Sequence, residues 1–230
     1  MTEQTPSPAP LRLYGRRKGK PLRPRHQHLM QDFLPQVSVT LDDLAEPQKI
    51  FSHHPSTVMF EIGFGAGDHL AQLAHDMPNA GFLGAEPFMN GVASLLKKMD
   101  DQALTNIRIF AGDARMVLEA LPPQSLDAVF LLFPDPWPKN RHANRRFIGP
   151  DNLNRLARAM KSGAELRMAS DVPPLATWMQ KHTLADDRFA PHAGTESGQW
   201  PHRPAHWPTT RYEQKNLAKH PPAWLSFYRR

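Results

Sequence analysis

From about residue 56 onward, short apolar runs alternate with segments of helical period. Val58-Met59-Phe60-Glu61-Ile62 predicts a strand running into a glycine-rich turn. Leu70, Leu73, Ala74 and Met77 then recur at helical spacing. Gly81-Phe82-Leu83-Gly84-Ala85 predicts a second strand, stopped by Glu86-Pro87, and a helix follows from Asn90 to Met99. Asn106 to Phe110 predicts a third strand, Leu126 to Phe133 a fourth and Ala164 to Ala169 a fifth, with a helix over Phe147 to Met160 between the last two. Pro173-Pro174 opens another helix through Trp178, since the missing proline N–H needs no partner in a first turn. Trp224 to Tyr228 predicts a last strand. The alternation predicts an α/β fold with a doubly wound, mostly parallel sheet and ligands at the carboxyl ends of its strands.

Two stretches break this pattern. Residues 1–28 read as a flexible basic N-terminal arm, proline-rich up to Pro10 and then running from Arg12 to Arg25 with no period and almost no acid. Such an arm tracks a phosphate backbone or serves only as a solubilising tail. Residues 29–230 are the expected single domain. Within it, Phe189 to Pro208 has no regular period, a long connection for a compact domain.

Composition narrows the classes. A chain of 230 residues holds one substantial core, and its 24 prolines fit irregular extensions around it. A net charge of +6 favours a polyanionic partner without establishing one. The lack of cysteine excludes a disulfide scaffold and thiolate chemistry and fits a reducing compartment. No apolar run is long enough for a membrane span, and the N-terminus has no secretory apolar core, so the expected location is cytoplasmic. His202 and His206 have helical spacing, but Pro204 and Pro208 oppose a helix there, and no metal-ligand motif is present; no metal is expected. The oligomeric state is left open.

The first candidate chemistry is the turn after the first strand, Glu61-Ile62-Gly63-Phe64-Gly65-Ala66-Gly67-Asp68. Glycines there let backbone N–H groups approach a ligand. The dinucleotide fingerprint fails because Asp68 stands where its third glycine would be, which disfavours a nicotinamide oxidoreductase. Acids at the strand end and helix start repel a pyrophosphate and suit a ligand carrying an ammonium and a sulfonium. Glu86, at the second strand end, is placed to accept ribose hydroxyls. Asp113, beyond the third strand, is placed to accept from an adenine amino group. Each acid alone could be a solvent-facing residue or part of a structural turn. Together they fit S-adenosyl-L-methionine.

The second is Phe133-Pro134-Asp135-Pro136-Trp137-Pro138-Lys139, followed by Asn140-Arg141-His142-Ala143-Asn144-Arg145-Arg146. It places one carboxylate, Asp135, at the fourth strand end, where a methyl group would meet its acceptor, or else forms a stiff turn that Asp135 merely caps. Lys139, Arg141, Arg145 and Arg146 suit phosphates better than acid–base work, because they stay charged, and otherwise form a solvated face. Trp137 either supports a base or packs under its own loop, and the prolines favour packing.

These segments resemble the bacterial tRNA (guanine-N7)-methyltransferase family. The likeness rests on Glu61 to Gly65, Glu86, Gly112-Asp113-Ala114, Phe133 to Trp137 with Lys139 and Arg141-His142, Arg145-Arg146, Ser170-Asp171 and Thr210-Arg211-Tyr212-Glu213. It runs from about residue 55 to the C-terminus and is looser in the arm. It implies a Rossmann-like class I methyltransferase that uses S-adenosyl-L-methionine to methylate N7 of a variable-loop guanine, usually position 46, in tRNA. It also implies cofactor binding by Glu61, Glu86 and Asp113, beside the turn glycines Gly63 and Gly65 already read as approaching the cofactor, and an Asp135 that touches both ligands and acts in catalysis. Lys139, Asp171 and Thr210, Arg211, Tyr212 and Glu213 would face the RNA. Without the resemblance, that last motif reads as a charge-balanced surface turn. Arg211-Tyr212 stands where relatives often have Lys-Phe, keeping charge and ring. Two alternatives remain, methylation of an exocyclic amine in nucleic acid and a catalytically silent RNA-binding domain.

Overall fold

The computed structural model describes residues 17, 19–192, 194–200, 202–203, 207, 213 and 220–230. Five parallel strands form the centre of the sheet: β1 (Val58–Ile62), β2 (Gly81–Ala85), β3 (Ile107–Phe110), β4 (Leu126–Leu132) and β5 (Met160–Ser170). β8 (Ala223–Arg229) pairs antiparallel with β5, and its far edge carries β6 (Phe189–Pro191) and β7 (Gln199–Trp200). The spatial order is β3-β2-β1-β4-β5-β8-β6, with β7 beside β8. The order reverses between β1 and β4, so a crevice opens at their carboxyl ends, as expected of doubly wound sheets. The central strands are buried on both faces, which explains their unbroken apolar runs.

Helices cover both faces: α3 (Asp68–Asp76), α4 (Met89–Asp101), α5 (Ala114–Ala120), α6 (Pro150–Ala159) and α7 (Pro173–Leu184). One cluster includes Leu44, Phe51, Phe60, Leu126, Leu156, Leu166 and Phe227, and a second gathers Leu70, Phe82, Leu95, Leu96, Ile107 and Ile109. Among the described residues, no helix is long and apolar enough to cross a membrane.

The structure corrects the sequence at four places. Regular structure begins at Pro24 rather than near Ser56, because α1 (Pro24–His28), a π-helical turn (Leu29–Phe33) and α2 (Leu34–Val37) follow one another directly. The irregular arm therefore does not extend to residue 28. Pro35 has no N–H to give the helix and its ring crowds the carbonyl four residues back, and the wider π turn lies just before it. Leu29, Met30, Phe33, Leu34 and Val37 pack on the second cluster, and Val39 then donates to the Ile109 carbonyl on the β3 edge at 3.0 Å. α5 had no prediction at all; Asp113 caps it. β5 starts at Met160, earlier than expected, with a register irregularity between Leu126 and Ala128 where it joins β4. The stretch from Phe189 to Pro208 contributes β6 and β7, too short to leave a period.

Candidate active site

The glycine turn after β1 is built for close approach. Gly63 and Gly65 hold φ of +68° and +55°, and nothing lies within 4 Å of where a Cβ would stand on either. That open space faces a cleft of about 790 Å³ whose walls include Glu61, Gly63, Gly65, His69 and Phe133. A volume of this order accepts a nucleoside-sized ligand. At Gly91 the reason for glycine differs: a Cβ would stand 2.3 Å from the Gly65 carbonyl oxygen, so only glycine lets α4 reach the turn. Lys98 closes the other side, donating to the Ala66 carbonyl at 2.8 Å and pairing with Asp68 at 3.2 Å.

Glu86 lies just past β2 and accepts two backbone N–H groups, from Gly65 at 2.7 Å and Phe88 at 2.9 Å. Burial raises its pKa above the ordinary glutamate range; the two N–H donors oppose that shift, while the charges of Asp135 and Glu61 add to it. Glu61, Glu86 and Asp135 thus converge electrostatically from the ends of β1, β2 and β4. Asp113 is buried, but its carboxylate caps Arg115 N at 3.0 Å and pairs with the Arg115 guanidinium at 2.5 Å. Glu61 is also committed, to His69 Nδ1 at 2.8 Å, and both residues are buried.

The Asp135 loop is held in an unusual backbone. Phe133 and Trp137, on either side of Pro134-Asp135-Pro136, have φ of +52° and +40°. Left-handed backbone costs a bulky residue about 1–2 kcal/mol, so packing must impose it. The Phe133 N–H donates to the Ala169 carbonyl at 2.9 Å, and its ring meets Trp224 edge-on at 5.9 Å. The prolines between them fix φ, and Asp135 is left exposed at the rim.

This geometry has matching relatives. A family model described as "Putative methyltransferase" matches residues 55–225. The tRNA (guanine-N(7)-)-methyltransferase of Paramagnetospirillum magneticum is 46% identical over 223 residues, covering 95% of this chain and 93% of that one. The enzyme of the same name from Caulobacter vibrioides is 44% identical, covering 99% of each. The chain belongs to the tRNA (guanine-N7)-methyltransferase family. A solved rRNA methylase from Streptococcus thermophilus shares the fold at 12% identity and a TM-score of 0.51, covering 91% of this chain and 99% of that one. The sheet is that of a Rossmann-like class I methyltransferase.

In this family member the cations after Asp135 divide into two kinds. Lys139, just before a 3-10 turn spanning Asn140–Arg145, and Arg141 within it are exposed. Arg145 lies over Trp137, 5.0 Å from the ring centre, and His142 meets the same indole at 5.9 Å. Trp137 therefore packs within its own loop, the role its prolines favoured. Arg146 is drawn inward: its guanidinium lies 4.6 Å from the Trp178 ring centre and donates to the Trp137 carbonyl at 3.3 Å. It braces the loop against α7 instead of facing outward with Lys139, because the indole face attracts a cation and Trp178 is itself fixed to the Ile148 carbonyl at 2.7 Å.

Asp171 is buried just past β5 and has no hydrogen bond or ion pair among the described residues. Glu213 pairs with Arg203 at 3.1 Å, and Arg203 lies over Trp224. Thr210, Arg211, Tyr212 and His206 lie outside the described residues.

Sequence reasoning missed the arm's attachment. Asn90 accepts the Gly19 N–H at 2.7 Å and donates to the Lys20 carbonyl at 2.8 Å, and Met89 N–H donates to the Arg17 carbonyl at 3.1 Å. Gly19, Lys20, Arg23 and His26 thereby line the same cleft as Glu61. A polar residue in the first turn of an apolar helix was the available signal. His69 was also missed, since nothing in its spacing from Glu61 marks it.

The arm side of the cleft and the loop after Asp135 are both electropositive. Burial lowers the His26 pKa, helped by Arg23, Lys97, Arg25 and Lys98. Burial likewise lowers that of His142, helped by Arg145, Arg141 and Lys139.

Proposed function

We propose that the guanine methylated by this chain lies in the variable loop of tRNA, at position 46, and that Asp135 orients it. As a member of its family the protein transfers a methyl group from S-adenosyl-L-methionine to guanine N7 in tRNA. The observation that carries the finer proposal is the position of Asp135, exposed at the rim and close enough to Glu86 for its charge to act there.

The cleft fits the cofactor on its own terms. Gly63 and Gly65 leave open space at the turn, and Glu86 presents a carboxylate at the β2 end. Glu86 would hold the ribose hydroxyls, Glu61 would lie towards the ammonium and sulfonium, and Asp113 would set the adenine edge while capping α5. When bound, the cofactor supplies an electrophilic methyl group on a sulfonium.

Guanine N7 has an in-plane lone pair and no proton, so the attack needs no general base. What the protein must supply is alignment and stabilisation of positive charge growing on the ring. Asp135 does both by accepting from the guanine N1–H or amino group with a negative charge. Asp171, buried and without a partner among the described residues, is a second acceptor for the same edge, and Glu213 a third. Lys139 and Arg141 on one bank, with Arg145 behind them, and Lys20 and Arg23 on the other, contact phosphates. An exocyclic amine acceptor would instead have to lose a proton. A cytoplasmic location follows from the substrate.

Nucleoside mapping tests the proposal. Unmodified tRNA incubated with the protein and labelled cofactor should yield 7-methylguanosine at position 46; label in an exocyclic-amine product, or at another position, overturns it.

A further inference from the structure

His69 carries one of the few buried side-chain nitrogens left without a hydrogen-bond partner among the described residues. Its Nδ1 meets Glu61 at 2.8 Å, but its Nε2 is buried without a hydrogen-bond partner among the described residues. The ring is therefore held on that side by packing alone. Two aromatic rings do this among the described residues: Phe130, edge-on at 4.9 Å, and Trp207 at 4.5 Å.

These two rings differ in origin. Phe130 belongs to β4 and stands in register with Glu61 across the β1–β4 ladder, so its place is set by the sheet. Trp207 comes from the segment between β7 and β8, three residues before the Thr210-Arg211-Tyr212-Glu213 motif. It is buried in a small aromatic cluster with Ala128, Phe130, Ala169 and Trp224. Its ring meets Phe130 and Trp224, each at 5.7 Å, and the Arg167 guanidinium lies 5.2 Å from its centre. Trp224 in turn packs on Phe133, the residue that turns the chain towards Asp135. A continuous set of rings thus joins the Glu61 partner to the start of the Asp135 loop, and Trp207 is the member borne by the connection between β7 and β8.

A buried carboxylate keeps its orientation only while its partner keeps its own. We propose that Trp207 is a positioning residue of the methyl-transfer site: seated on His69, it fixes the imidazole that holds Glu61, and so couples its own packing to cofactor affinity. Removing the indole frees the imidazole to rotate towards a partner for Nε2, and Glu61 loses its fixed donor. The coupling is reciprocal, so a ligand in the cleft must also be felt at Trp207. The proposal rests on the reading that Glu61 faces the cofactor.

The test is calorimetric binding of S-adenosylhomocysteine, an unreactive probe, to the full chain without RNA. Trp207→Ala should weaken binding about tenfold or more, and Trp207→Phe should restore most of it. His69→Asn should weaken binding similarly, and Trp207→Ala combined with His69→Asn should be no worse than His69→Asn alone. Wild-type affinity in Trp207→Ala, or a double variant whose losses multiply, overturns the proposal. Should Trp207→Ala fail to fold, the wild-type chain decides by fluorine NMR with 5-fluorotryptophan at its five tryptophans. The Trp207 resonance, assigned by its absence from Trp207→Phe, should shift on saturation with the probe and should not shift in His69→Asn. A wild-type resonance that stays put while the probe binds sinks the coupling. A wild-type chain that binds no probe sinks the cofactor reading instead.

Discussion

Glu86 and Gly65 hold each other, the carboxylate just past β2 accepting the loop N–H at 2.7 Å. The acid proposed to receive a ribose is therefore also a strut of the glycine turn. Burial raises the Glu86 pKa, so the folded chain binds this proton more readily than the unfolded one. Its contribution to stability is fully present below the unfolded pKa and is lost as pH rises through the folded one. Cofactor affinity runs the opposite way, because a ribose hydroxyl donates to the ionised form. Binding of S-adenosylhomocysteine should weaken as pH falls, starting above the ordinary glutamate value of 4.5, and Glu86→Gln should lack that acid limb. A Glu86→Gln protein with the wild-type pH profile counts against this role.

Asp135→Asn keeps the shape of the loop and removes one charge. With both ligands saturating, single-turnover methylation should fall about a hundredfold, the usual scale for removing one electrostatic contact to a transition state. Affinity for S-adenosylhomocysteine should change little, because Asp135 sits at the rim. A near-normal rate constant rules out the orienting and charge-stabilising role.

Lys139 is exposed, whereas Arg146 lies over Trp178, and the two should fail differently. Lys139→Ala should weaken tRNA binding and flatten the logarithmic salt slope by about 0.7–0.9, with an unchanged melting temperature. A salt titration with an unaltered slope removes Lys139 from the phosphate contacts.

Arg146→Ala should instead lower the melting temperature by roughly 2–8 °C, the shift expected when about 1–2 kcal/mol of packing is lost from a domain of this size. Its salt slope should move less than that of Lys139→Ala. A thermal scan identical to wild type would mean that the indole contact does not brace the loop.

Gly91→Ala forces a methyl group against the Gly65 carbonyl, 2.3 Å away. Overpacking of this kind costs about 1–3 kcal/mol, and here the strain falls on the turn that faces the cofactor. Affinity for S-adenosylhomocysteine should drop more than stability does. A variant that melts earlier yet binds normally would show that α4, and not the turn, gives way.

Much of the centre was written along the chain. β1, β2 and β4 are apolar runs because central strands of a parallel sheet are buried on both faces, and the acids at or just past their ends interrupt hydrophobic stretches, so Glu61, Glu86 and Asp135 stand out without a structure. The glycines of the turn are legible for the same local reason, since backbone that must run at positive φ selects them. The helical stripe of Leu29, Met30, Phe33, Leu34 and Val37 was also present, but Pro24, Pro35 and the surrounding charge masked it, because a π turn that absorbs a proline has no simple period.

What the sequence by itself determined was the class of fold, the family and which acids stand at the strand ends, for these depend on hydrophobic period and on residues close to strand ends. Tertiary structure alone decided the partnerships. Asn90 grips the arm 71 residues away, Arg146 turns inward to Trp178, and His69 ties Glu61 to Trp207. The Phe133-Pro134-Asp135-Pro136-Trp137 run showed that a carboxylate would be presented, but not how its two ends are held in left-handed backbone. Contacts between side chains far apart in sequence leave no period and no spacing; they exist only once the sheet has brought their elements together.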